Sequence, residues 1–134
     1  MAGDLELALA QYLKSYSGLN ALVGGRIYPV TKAQMGALPY VTYQRISTRY
    51  VQAHGEYSSL PTARVQFNLF AERFADVKAL NVELNNALDG FRGEMGGEAG
   101  SVEVFFSLAQ GEGNNYTDDP ELYLIQRDYL IMFE

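Results

Sequence analysis

The side chains in this sequence that are able to do chemistry are few. His54 is the one histidine, set in Gln52-Ala53-His54-Gly55-Glu56. A nucleophilic triad needs that imidazole, a nucleophile and an orienting acid brought together, and no spacing around His54 supplies them. Asp118 and Asp119 are adjacent, so in extended chain they point apart, and Asp-Asp-Pro is ordinary turn chemistry. With one histidine and no cysteine, only hard-ion oxygen sites are open to a metal, and the spacing of a calcium loop is absent. The run Gly93 to Gly100 is rich in glycine, yet Glu94 and Glu98 stand where a phosphate cradle wants neutral amides and a lysine. No catalytic, cofactor or metal site is expected from these residues.

Arginine spacing is more informative. Arg45 and Arg49 are four apart in a stretch rich in Tyr, Thr, Val and Ile, which reads as a strand and puts both on one face. Arg64 returns on the next strand, so all three are expected to share one side. Two readings stay open. One is a solvated face with scattered partners such as Glu56 and Glu103. The other is a basic strip that meets an acidic patch of a neighbouring copy. Ten tyrosines without a tryptophan point the same way, since tyrosine joins a large apolar body to a polar tip and is enriched at interfaces.

The elements that must position these groups follow from periodicity. Asp4 is a good N-cap, and Leu5, Ala8, Leu9, Tyr12, Leu13 and Tyr16 recur at helical spacing; Gly18 is expected to end that helix, with a short turn through Leu19 to Val23. Gly24-Gly25 then leads into an extended piece, Arg26 to Val30. Pro39 cannot donate to a ladder, so pairing of the next strand begins at Tyr40 or later and runs to about Val51. A long connection through Pro61 leads to a cleanly alternating strand, Thr62 to Phe70, with Ala63, Val65, Phe67 and Leu69 on one face. A second helix spans about Phe74 to Leu88, stopped by Asp89-Gly90. Gly93 to Gly100 reads as a turn or loop. A third strand has Val102, Val104, Phe106 and Leu108 on one face. A polar excursion, Gln110 to Glu121, precedes a last strand, Leu122 to Phe133, with Tyr123, Ile125, Tyr129, Ile131 and Phe133 on one side.

This order predicts an α+β fold: a mostly antiparallel sheet of about four main strands with two helices packed on one face. The chain of 134 residues is long enough for one domain with its own core. Apolar residues at 48% and charged residues at 19% suit a folded protein. A net charge of −6 and a pI near 4.7 weigh against gripping DNA phosphates. No apolar run approaches the roughly 20 residues that span a bilayer, and the acidic start lacks the basic residues of a signal peptide, so a cytosolic origin is expected.

The residues Leu19-Asn20-Ala21-Leu22-Val23-Gly24-Gly25-Arg26-Ile27-Tyr28-Pro29, then Leu38-Pro39-Tyr40-Val41-Thr42-Tyr43-Gln44, carry a resemblance. So do Ala63 to Phe67, Ala87-Leu88-Asp89-Gly90-Phe91-Arg92-Gly93, and Asp118-Asp119 before Leu122-Tyr123-Leu124-Ile125-Gln126-Arg127-Asp128-Tyr129. In this order the whole chain, 1–134, resembles the tail-completion (tail-terminator, head-to-tail joining) proteins of long-tailed bacteriophages. Ala33 departs from the proline common before the Gly36-Ala37-Leu38-Pro39 run, which bears on the shape of that loop.

The resemblance implies a structural protein, not an enzyme, without cofactors. It would assemble as a homo-oligomeric ring, typically a hexamer, on the end of the tail tube in the bacterial cytoplasm, and become part of the virion tail or neck. Its partners would be the tail-tube protein and the head connector or completion protein, with DNA only passing through the lumen and no membrane. Candidate interface residues are Arg45, Arg49, Tyr50, His54, Tyr57 and Arg64, on one side of the contact between copies, with the opposite side unassigned. The alternatives are another neck or head-completion protein, or a stand-alone protein-binding module using the open sheet face.

Overall fold

A computed structural model of the chain describes residues 4–29, 38–50, 61–96, 102–118 and 121–134, the side chains of 50, 112–118 and 121 excepted. It opens with helix α1 (Leu5–Ser15), capped by Asp4, whose Oδ1 accepts from the amides of Glu6 (2.9 Å) and Leu7 (3.2 Å). Leu5, Ala8, Leu9, Ala10 and Leu13 turn inward, and each leucine so buried contributes about 1.5–3 kcal/mol. Tyr16, extended at ψ 111°, breaks the helix, and a second one follows at once: α2 (Ser17–Val23). Gly18 therefore lies within α2 and does not end α1. A Cβ there would meet the carboxylate end of Glu83, a flexible tip that can swing aside. Gly24 and Gly25, at φ 56° and 82°, make the left-handed exit from α2.

The remaining elements are β1 (Ile27–Pro29), β2 (Tyr40–Tyr50), β3 (Pro61–Ala71), α3 (Phe74–Leu88), β4 (Gly93–Met95), β5 (Val102–Asp118) and β6 (Glu121–Phe133). They form a six-stranded sheet in the order β1-β2-β3-β6-β5-β4, mixed in direction and curled into a half-barrel. The expected four-stranded, mostly antiparallel sheet with two helices is thus corrected on three counts. The break at Tyr16 yields a third helix. The stretch after Gly25 runs parallel to β2, pairing Ile27 with Val41 and Pro29 with Tyr43. Met95, buried within the glycine-rich run, draws Gly93–Met95 into an edge strand against Val102 to Val104.

A further correction concerns the polar stretch after Leu108. It continues β5 to Asp118, and from Gly111 onward it pairs with β6 in continuous register back to Glu121. Backbone pairing overrides the polar composition of the stretch here.

The helices share the face of the sheet that carries Ala63, Val65, Phe67, Leu69 and Ala71 on β3 and Ile125, Tyr129 and Ile131 on β6, all buried. Phe67 and Tyr129 meet edge to face at 5.8 Å beneath α3. The hydroxyl of Tyr12 donates to the carbonyl of Ala87 (2.7 Å), tying α1 to the end of α3. Bulges interrupt the alternation twice in β5, between Val104 and Phe106 and between Ala109 and Gly111. The first re-phases the strand. Ser107 goes into the core, and Leu108, expected there, is left exposed on the other face.

Candidate functional site

The face of the sheet away from the helices is where a binding surface has room, and a third irregularity decides which residues reach it. In β2, Arg45 pairs with Val65, but Ser47 pairs with Arg64, so Ile46 is an extra residue. In a regular strand Arg45 and Arg49 would share a face. The bulge sends them to opposite ones. Arg45 goes to the helix side, where its Nη2 donates to Glu6 Oε1 (2.6 Å) and its Nη1 to Thr48 Oγ1 (3.0 Å). Its guanidinium also lies 5.6 Å from the centre of the Phe133 ring.

Arg49 and Arg64 stay together on the open face. With Ser47, Thr62 and Leu130 they line an open pocket of about 470 Å³. Arg64 Nη1 donates to Asp128 Oδ2 (3.0 Å), whereas Arg49 has no acidic partner among the described residues. The backbone of Tyr50 follows in the strand, opposite Pro61. His54 and Tyr57 lie outside the described residues. Two arginines and two hydroxyls against one carboxylate make the pocket electropositive, a setting that favours a carboxylate arriving from outside.

The same register extends across the sheet. Arg64 stands beside Leu130 and Leu108, and Thr62 beside Met132 and Phe106. The basic end of the open face is therefore bordered by an apolar strip in which Leu108 is 46% exposed. Farther along, Asn68 Nδ2 donates to Thr42 Oγ1 (3.3 Å) and Gln126 Nε2 to Asn68 Oδ1 (3.2 Å), a polar ladder across three strands. Beyond it Tyr28, Tyr40 and Phe70 stack in sequence, with centroids 6.1 and 4.8 Å apart.

Sequence reasoning missed Arg127, which lies on the core face of β6 and is 9% exposed. Its Nη2 donates to Asn85 Oδ1 (2.9 Å) of α3, and the Tyr129 hydroxyl donates to the same oxygen (3.0 Å). The strand period contained it: 125, 127, 129 and 131 share one side. This cluster fixes α3 to the sheet.

Burial raises the hydroxyl pKa of Tyr12, Tyr40 and Tyr43. The neighbouring Tyr16, Tyr28 and Glu6 respectively add to the rise, with Asp4 a further contributor at Tyr43. Among the described residues no group of three or more His, Cys, Asp or Glu gathers as a metal would need, and no helix is long and apolar enough to cross a membrane.

Residues 7–126 match the family model described as tail completion protein gp17. The chain belongs to that family. The tail completion family is one of structural phage virion proteins, which assigns the chain to the tail or neck of a phage-like particle. No curated protein matches the chain. Among solved structures, a chain of the virion of a native gene transfer agent particle shares the fold, with a TM-score of 0.73 and 16% identity, over 98% of this chain and 95% of that one. In a family whose members work as virion parts, the open face with its arginine pocket is the candidate surface for assembly.

Proposed function

We propose that this chain acts as one domain that caps the end of the phage tail tube as a homo-oligomeric ring, ending tube polymerisation and offering the surface to which the head connector docks. The observation that carries this reading is the match of residues 7–126 to the tail completion family. The structure is compatible with it in a specific way. The helices cover one face of the sheet, and the other keeps an arginine pocket beside an apolar strip, a mixture suited to protein contacts.

Arg49 and Arg64 form one side of the contact between copies, with Tyr50, His54 and Tyr57 of the adjoining strand end and connection. Arg45 stands apart, engaged by Glu6. A ring joins unlike surfaces, so each subunit presents two different patches that complement each other. The tube protein and the head connector meet the ring on its two rims. A net charge of −6 keeps a lumen from holding DNA as it passes.

The test is electron microscopy of tails made with and without the chain. Without it, tubes are expected to overrun their normal length and carry no heads. Tails of normal length joined to heads in its absence would end the reading.

A further inference from the structure

We propose that the pocket of Ser47, Arg49, Thr62, Arg64 and Leu130 receives the acidic end of the β5–β6 hairpin of a second copy, so that copies join head to tail. Resting on the ring-forming role above, this assigns the side of the contact that role leaves open.

The pocket asks for a carboxylate. Arg49 has no acidic partner among the described residues, Arg64 gives one nitrogen to Asp128, and the hydroxyls of Ser47 and Thr62 add donors at the rim. A chain of net charge −6 has carboxylates to offer, and the end of the β5–β6 hairpin combines them with reach. At the end of the β5–β6 hairpin, Asp118 and Glu121 occupy directly opposed register positions.

The hairpin end also extends beyond the rest of the sheet: pairing of β3 with β6 stops at Ala71 and Tyr123, two residues short of Glu121. Leu130 in the pocket and Glu121 at the hairpin end lie nine residues apart on one strand, or about 30 Å at 3.3 Å per residue. Pocket and hairpin end therefore cannot meet within one molecule. Between copies they make an unlike contact that repeats, closing into a ring when the rotation allows.

The chain has no cysteine, so a variant with Leu130→Cys in the pocket and Leu122→Cys beside the hairpin end reports the contact through a short bismaleimide, applied to the free chain and to purified tails. Denaturing gels are expected to show a ladder of dimers, trimers and larger species, with each single-cysteine variant stopping at dimers. Adding Arg49→Glu should weaken the ladder at least tenfold, and adding Asp118→Lys to that variant should restore it. A missing ladder, or one indifferent to Arg49→Glu, overturns the pairing. So does cross-linking to the tube protein in place of a second copy. If rings still cap tails of normal length while no 130–122 linkage forms, this contact fails and the capping role stands. If the chain is absent from tails, both fall.

Discussion

The two faces of one sheet, built from the same strands, obey different rules. Toward the helices, every second residue of β3 is apolar and buried, and the polar groups on that side include Ser107, the paired Arg45 and the Arg127–Asn85–Tyr129 cluster. Toward the outside, Arg64, Gln66, Asn68 and Phe70 mix charge, amide and ring, and most keep contact with water. The covered face holds the fold together and tolerates charge only where partners are supplied. The open face carries fewer buried apolar side chains, which leaves it freer to vary with what it binds.

The difference is measurable in neighbouring residues of one strand. Phe67→Ala removes a fully buried ring from beneath α3 and should cost about 3–5 kcal/mol in urea unfolding. Gln66→Ala, one residue away on the other face, should stay within about 0.5 kcal/mol. Similar losses at both would break the contrast.

A smaller effect separates the two arginines of β2. Arg45→Ala loses a partly exposed ion pair and the stem's packing near Phe133, and should cost about 1 kcal/mol. Arg49→Ala should leave the unfolding midpoint nearly unchanged. Equal costs would mean that the bulge does not divide them as described.

The smallest effect concerns alkaline pH. Tyr12, Tyr40 and Tyr43 have folded pKa values raised above the ordinary 10.0, chiefly by burial. The folded state thus holds these protons more tightly than the unfolded one. Their contribution is complete below pH 10 and is lost as pH climbs through the raised values. Thermal midpoints should be insensitive to these groups between pH 8 and about 9.5, with a decline above about 10. Ultraviolet titration should show a late-ionising set of tyrosines, and midpoints that rise above pH 10 would contradict the assignment.

Much of this was legible in the residues. Asp4 announces α1, the alternation from Ala63 to Leu69 announces β3 and its inner face, and Pro39 marks where β2 begins pairing. The helix from Phe74 to Leu88 has the bounds its periodicity suggests, although its apolar Phe74 and Val82 are half exposed. Bulges were not legible, because an extra residue changes the phase of a strand without changing its composition. That is why Arg45 parted from Arg49, and why Leu108 exchanged places with Ser107.

The parallel pairing of β1 escaped notice because three residues carry too little pattern to declare a direction. Arg127 was a different failure. Its charge argued against the face its position required, and partners such as Asn85, distant in sequence, make that face acceptable.

The extra residue at Ile46 also governs how this stretch tolerates change of length. A relative lacking that residue would keep one guanidinium beside the first helix and the other outside, since regular alternation from Arg45 to Ser47 restores the same sides. Loss of Thr48 instead would carry Arg49 inward to the place opposite Ala63. In comparisons across distant members, a one-residue gap here is harmless or inverting depending on which side of Ser47 it falls.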